Sequence, residues 1–319
     1  MGVMIDGRYQ AEDPRPDTDE SGEFNRRASS IRNWITADGR PGPTGKGGFK
    51  AKRGRYHLFA AWNCPWAHRA LLIRALKGLE QDIQVSMALP RRTDQGWVFE
   101  PSGPFADPLL GARAVHEIYA RQRPPYTGRI TVPVLFDAET NQAVSNESAD
   151  IIRMLNAEFA GGPDLYPALL RPAIDRWNDL IYPTLNNGVY RTGFARTQSA
   201  YDTAVAEVFA TLDKIDAQLA LTRYLTSDTL TEADLRLFPT LARFDVAYHT
   251  AFKCNIRRIV DYRNLWGYAR EIYQMPGISG TVDFDIYKRG YFSPSELRNP
   301  LGIVPAGPLI DWTTPHGRD

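Results

Sequence analysis

The chain has 319 residues, enough for two domains of ordinary size, and its 43% hydrophobic and 24% charged residues describe a globular protein with a sizeable core. Its formal net charge of +1, from 38 Lys and Arg against 37 Asp and Glu, argues against a polyanion-binding surface, so nucleic acid is not an expected partner. No apolar run reaches the roughly 18 to 20 residues of a membrane helix, and the polar, acidic stretch 1–27 lacks the apolar region of a secretory signal, so the expectation is a cytoplasmic protein with no membrane partner.

In chain order, residues 1–50 carry Pro, Gly and charge with little periodicity, as in Asp13-Pro14-Arg15-Pro16 and Arg40-Pro41-Gly42-Pro43, and predict an extended N-terminal arm. A first folded domain is expected over 51–160. Within it, 55–60 has strand character, 67–77 reads as a helix stopped by Gly78, and 82–89 reads as a second strand, together a βαβ unit with parallel strands. An insertion near 90–126, rich in Pro, Gly, Arg and aromatics, follows. A strand resumes at 131–137 and a helix at 148–159, with Ile151, Ile152, Leu155 and Phe159 on its apolar side. After Gly161-Gly162-Pro163 the pattern is helical: an all-α domain over 165–275, with amphipathic runs at 169–186, 199–220, 232–248 and 262–274. Thr231 and Asp234 are spaced as a capping box, with Leu230 and Leu235 at the staple positions. Residues 276–319 read as a tail packed on the body.

The chain has two cysteines, Cys64 and Cys254, too few for a disulfide framework and without the paired spacing of a zinc site, so no metal is expected. Cys64, in Asn63-Cys64-Pro65-Trp66, falls between the first strand and the first helix, where unpaired N–H groups and the helix dipole favour an anion. Proline next to it suits the first helical turn, whose amide has no helical partner anyway. Such a location lowers a thiol's pKa from about 8.5 into a range of roughly 3.5 to 7.5. Three residues on stands Ala67, not a second cysteine, so the thiol that resolves a mixed disulfide must come from solution. Cys254 reads as a buried core cysteine. Val132-Pro133 offers backbone groups that could pair with a thiol peptide, and Glu147-Ser148 opens a helix whose hydroxyl and N–H groups either hold a carboxylate or simply cap it.

These residues resemble the glutathione transferase superfamily, and within it the glutathionyl-hydroquinone reductases, the Xi class, over about 31–308. The resemblance is carried by Asn33 to Gly39 (NWITADG), Cys64 to Arg69 (CPWAHR), Phe252 to Asn255 (FKCN) and Asn299 to Pro308 (NPLGIVPAGP). It implies an α/β, thioredoxin-like N-terminal domain followed by an all-α C-terminal domain, with Cys64 as the nucleophile. Cys64 attacks the sulfur of a glutathionyl-hydroquinone, hydroquinone leaves, and a second glutathione resolves the mixed disulfide. The resemblance assigns glutathione, the co-substrate, to Trp97, Arg129, Ile130, Thr131, Val132, Glu147 and Ser148. It gives Tyr190 the proton transfer at the hydroquinone, and has Tyr248 and Tyr291 line the pocket and hydrogen-bond near Cys64 as catalytic residues that help to hold its thiolate. It also implies a homodimer. The chain departs from the family at Gly290, where histidine is common beside the last tyrosine, and this bears on substrate preference. A general omega-like thiol transferase or dehydroascorbate reductase is the alternative enzyme, a non-catalytic binding protein of the same fold is the alternative outside enzymes, and mycothiol is the alternative thiol.

Overall fold

The computed structural model describes residues 2–14 and 17–318. The chain divides into two compact units, one of residues 1–15 and 28–163, the other of residues 16–27 and 164–319.

The first unit is built on a four-stranded sheet. Strand β3 (Tyr56–Ala61), helix α1 (Pro65–Leu76) and strand β4 (Gln84–Ala88) form the βαβ unit, with β3 and β4 parallel. Strands β6 (Val134–Asp137) and β7 (Gln142–Ser145) add antiparallel on the other side, giving the order β4-β3-β6-β7, the mixed sheet of a thioredoxin-like domain. All six residues of β3 are buried, as a central strand covered on both faces requires. Helix α3 (Ser148–Glu158) packs against α1. Helix α1 ends where Gly78 turns left-handed at φ +64°, a conformation that costs a residue with a Cβ. Strand β6 is shorter than the expected 131–137, because 131–133 leads into it without pairing, and β7 was not expected at all; its few residues lack a clear alternation.

The N-terminal fifty residues are not one extended arm. Strands β1 (Val3–Ile5) and β2 (Arg8–Gln10) form a hairpin, and β1 also pairs antiparallel with β5 (Gly128–Arg129), which precedes the 131–133 stretch. The cause is the Asp6-Gly7 turn, with φ of +48° and +76°, the left-handed two-residue connection whose twist matches a hairpin. Residues 17–27 belong with the helical unit and 28–50 with the sheet unit. Arg15 and Pro16, part of the expected arm, lie outside the described residues. The 90–126 insertion contributes one short helix, α2 (Val115–Tyr119), and isolated bridges such as Val98 to Ala114.

The second unit is helical: α4 (Arg171–Ile181), α5 (Gly188–Phe194), α6 (Gln198–Leu219), α7 (Glu232–Arg243), α8 (His249–Ala251), α9 (Arg263–Gln274) and α10 (Phe284–Tyr291). Two of the expected helices are interrupted. The run 169–186 ends in a π-helical turn, Tyr182–Asn186, and the run 232–248 ends in another, Phe244–Tyr248. Such turns insert a residue into the helical register and are often found at functional sites. The capping box forms: the Thr231 amide and hydroxyl both donate to Asp234 Oδ2, at 2.8 and 2.9 Å. The tail is not wholly irregular, since Asp283 accepts from the amide of Ile286 at 2.9 Å and starts α10, whose Ile286 and Tyr287 turn inward. Beyond it, Gln274 and Arg270 on α9 donate to the carbonyls of Trp312, Thr314 and Pro315.

Candidate active site

Cys64 is the residue that starts α1. Its backbone is extended (φ −82°, ψ 116°), its carbonyl accepts from the His68 amide at 3.0 Å, and Pro65 follows in the first helical position. The sulfur accepts from the Ala67 amide at 3.5 Å, one of the helix-start donors without a partner in the helix. On its other side the thiol donates at 3.2 Å to the carbonyl of Val132, which belongs to the cis Val132–Pro133 peptide. The two contacts favour opposite protonation states. The amide favours a thiolate, whereas the carbonyl favours a thiol. Only 9% of Cys64 is exposed.

The surrounding segments are tightly held. Thr131 is fixed by Tyr119, whose hydroxyl donates to the Thr131 carbonyl at 2.9 Å and accepts from the Thr131 amide at 3.3 Å; Asn146 donates to the same hydroxyl at 3.1 Å. Ile130 and Val132 are buried, and Arg129 approaches Asp13 at 3.7 Å. Glu147 caps α3, its carboxylate accepting from the Ala149 amide at 3.0 Å, and Ser148 receives a contact from Arg69 Nη1 at 3.4 Å. The Arg69 guanidinium is almost wholly buried and lies 4.6 Å from the centre of the Trp66 ring. Arg32 makes a bidentate pair with Asp150 in the first turn of α3, at 2.6 and 2.7 Å. Trp97 is buried in the insertion, with the Arg92 guanidinium 5.0 Å from its ring centre and its carbonyl accepting from the Val115 amide. The insertion is tied to the sheet through Asp107, which accepts from the Ser86 hydroxyl at 2.7 Å, while Ser86 meets His57 Nε2 at 2.7 Å. Burial pushes the His57 imidazole down to about 4, against the pull of Asp107.

In the second unit the three tyrosines form one hydrogen-bonded chain. The hydroxyls of Tyr190 and Tyr291 are 2.7 Å apart and those of Tyr291 and Tyr248 are 3.1 Å apart. Tyr190 lies on α5, just after the first π-helical turn; Tyr248 ends the second; Tyr291 ends α10. Phe252 stacks on Tyr248 with ring centres 5.3 Å apart and meets Tyr190 and Tyr291 edge-on. Burial, and then the neighbouring phenols, push Tyr248 and Tyr291 well above the ordinary tyrosine range, while Arg243 pulls both back. Arg26, from the 17–27 segment, places its guanidinium 4.8 Å from the Tyr190 ring centre and donates to Asn187 at 2.7 Å. Cys254 is fully buried, and burial pushes its thiol up to about 12, beyond use as a nucleophile at neutral pH.

The structure thus brings Cys64 to Val132, and joins Tyr190, Tyr248 and Tyr291, with the two groups in different units. Sequence reasoning missed Tyr119, Arg69 and Arg26, each of which holds an expected residue or its ring, and Arg243, which is enclosed against Tyr287. Arg69 stood within the quoted CPWAHR motif; for the others no local pattern marks a partner some 12 to 164 residues away. Among the described residues no group of three or more His, Cys, Asp or Glu could hold a metal ion, and no helix is long and apolar enough to cross a membrane.

The model of the glutathione S-transferase N-terminal domain matches residues 63–158, and that of the C-terminal domain matches residues 198–271. Glutathionyl-hydroquinone reductase YqjG of Escherichia coli (strain K12) is 51% identical over 100% of this chain and 99% of its own length. Its glutathione-bound structure superposes with a TM-score of 0.88 over 90% of this chain and 96% of that one. Glutathionyl-hydroquinone reductase PcpF of Sphingobium chlorophenolicum is 45% identical over 97% of this chain and 96% of its own. A Xi-class glutathione transferase from Natrialba magadii, 41% identical, superposes with a TM-score of 0.90 over 100% of this chain and 96% of that one.

Proposed function

The chain belongs to the glutathionyl-hydroquinone reductases, the Xi class of glutathione transferases, and on that premise we propose the following course for its reaction. It is an oxidoreductase that performs glutathione-dependent redox chemistry through a buried cysteine, with glutathione as co-substrate. Cys64 is that cysteine. The Cys64 thiolate attacks the sulfur of the glutathionyl-hydroquinone; the S–S bond forms, the aryl C–S bond breaks, and its electron pair passes to the ring carbon, which takes up a proton as hydroquinone leaves. A second glutathione thiolate attacks the glutathionyl sulfur and releases Cys64 as thiolate. The balance is one conjugate and one glutathione consumed, one hydroquinone and one oxidised glutathione formed.

One observation carries this reading. Cys64 sits at the start of α1 between an amide donor and the Val132 carbonyl, and the other cysteine is buried in the other unit with its thiol pushed up to about 12. The pair of contacts supplies a trigger. When the glutathionyl backbone pairs with Val132 in β fashion, its amide competes with the thiol for the Val132 carbonyl and weakens that bond, shifting the balance toward the Ala67 amide and the thiolate. The remaining glutathione contacts are assigned to Trp97, Arg129, Ile130, Thr131, Glu147 and Ser148. Charge and geometry support them: Glu147 is an anion suited to an α-ammonium, and Ser148 at a helix start, beside Arg69, is suited to a carboxylate. Tyr190 is assigned the proton transfer, supported by its hydrogen-bonded chain to Tyr291 and Tyr248. A homodimer and a cytoplasmic location complete the assignment, and sedimentation at micromolar concentration tests the former.

The experiment incubates the protein with a glutathionyl-hydroquinone and glutathione and follows hydroquinone and oxidised glutathione by chromatography. Release by the wild type and none by Cys64→Ser is the expected result; equal release by both overturns the nucleophile, and none by either overturns the reaction.

A further inference from the structure

Arg243 is the last residue of α7, directly before the π-helical turn that carries Tyr248. It is 0% exposed, among the largest side chains wholly enclosed by the fold. Enclosing a guanidinium costs several kcal/mol unless its surroundings answer the charge, so such a residue calls for an account. Among its contacts, Nη1 donates to the Pro239 carbonyl at 2.9 Å, the guanidinium carbon lies 3.8 Å from the centre of the Tyr287 ring on α10, and the guanidinium hydrogen-bonds the Tyr287 hydroxyl. The proline at 239 stands inside α7, and the guanidinium takes up a carbonyl one turn before its own position. Tyr287 and Tyr291 from α10, Tyr248 from the π-helical turn and Tyr190 from α5 are phenols that, once ionised, attract the Arg243 cation against the cost of its burial. Three of these four are the hydrogen-bonded chain. Asp245, two residues on in the same turn, is engaged instead with the amides of Ile259 and Val260, at 2.6 and 3.2 Å, and Asp283 caps α10. Arg26, over the Tyr190 ring, and Arg298, over the Phe194 and Phe252 rings, are further cations of the cluster.

We propose that Arg243 is a positioning residue for the reaction, holding the Tyr190–Tyr291–Tyr248 chain in place and stabilising the negative charge left on it when Tyr190 gives up its proton. This rests on the role assigned to Tyr190 above. In the step concerned, the proton leaves the Tyr190 hydroxyl for the ring carbon that has received the C–S electron pair. The negative charge stays on the Tyr190 oxygen, which accepts from the Tyr291 hydroxyl, and that hydroxyl in turn accepts from Tyr248. The buried guanidinium offsets this charge in surroundings of low dielectric, where a fixed cation acts more strongly than in water. Without Arg243 the tyrosine is a weaker acid, and proton donation slows.

The test compares wild type, Arg243→Met and Arg243→Lys for kcat, for KM of glutathione and for tyrosine ionisation. Ionisation is followed by fluorine resonance in protein carrying 3-fluorotyrosine, since fluorination makes phenols more acidic, and the resonances are assigned with Tyr190→Phe, Tyr248→Phe and Tyr291→Phe. We expect Arg243→Met to lower kcat by about tenfold or more with KM changed less than about twofold, to move the titrations of the chain up by about one unit, and Arg243→Lys to recover most of both. Tyr287→Leu, which removes the ring beneath the guanidinium and leaves the chain intact, shifts the titrations the same way and keeps the test open if the Met variant does not fold. Coincident titrations in folded variants, or a shifted titration with unchanged kcat, overturn the proposal. A wild type that releases no hydroquinone while the titrations still shift with Arg243 overturns the assigned reaction but leaves the charge coupling standing, so the two failures are distinguishable.

Discussion

The thiol end of the first unit and the tyrosine chain of the second are built in opposite ways. Cys64 is positioned largely by its immediate neighbours in sequence: a buried strand, a proline and the first turn of a helix, with Val132 a distant contact. The tyrosines come from positions 190, 248 and 291 and meet only because two helices break register at π-helical turns and a third is started by Asp283. A nucleophile can be set by local backbone geometry, whereas a chain of hydroxyls needs the packing of several helices. The two ends should therefore fail differently when altered.

The largest effect is expected at the thiol. Cys64→Ser should reduce hydroquinone release by on the order of a thousandfold or more, because no other group in the chain offers a thiolate, with folding intact by circular dichroism. At the tyrosine end, Tyr190→Phe should lower kcat by roughly ten- to a hundredfold while the rate of Cys64 alkylation by iodoacetamide stays within about twofold. Tyr291→Phe breaks both hydrogen bonds of the chain and should fall in the same range; a Tyr190→Phe enzyme with unaltered kcat would remove that residue from the chemistry.

A buried titratable group in each unit, His57 and Asp245, responds to pH in its own direction. His57 in the first unit is held down to about 4 by burial, so it stays neutral in the fold while the unfolded chain takes a proton below about 6.5; its contribution is full above that pH and is lost as pH falls toward 4. Asp245 in the second unit is pushed up to about 6 by burial, although the Ile259 and Val260 amides work against the shift. It stays protonated in the fold while the unfolded chain ionises above about 3.8, so stability falls as pH rises from about 4 to 6. Each is worth about 3 kcal/mol, and in this window the two oppose. Urea unfolding between pH 4 and 6 should show Asp245→Asn steepening the rise of stability with pH, and His57→Gln reversing it. Parallel profiles in all three proteins would contradict the assignment. The smallest effect is expected for Cys254→Ala, which should leave alkylation and turnover within about twofold and cost stability by about 1 to 2 kcal/mol of lost packing, measured by the same unfolding.

This contrast also explains what the sequence made legible. Cys64-Pro65, the βαβ unit, Gly78 and the Thr231–Asp234 capping box are short-range features, and each forms as its local chemistry directs. The Asp6-Gly7 hairpin is equally local, but its turn signal is masked by a stretch dominated by prolines and charge. The first helix interruption is marked by Pro183, which breaks the helical ladder but stands in a run that keeps its apolar spacing; the second, 244–248, keeps that spacing with no breaker at all. Arg243 reads in the sequence as an ordinary basic residue closing a helix; only its enclosure against Tyr287 shows otherwise.

The central claim is that Cys64 takes the glutathionyl group. Mixing stoichiometric protein with a glutathionyl-hydroquinone in the absence of added glutathione, quenching in acid and mapping peptides by mass spectrometry tests it directly. The account predicts one glutathionyl group per chain, on the peptide carrying Cys64, with an equal amount of hydroquinone released. Hydroquinone released with Cys64 unmodified, or a glutathionyl group found on Cys254, would contradict it.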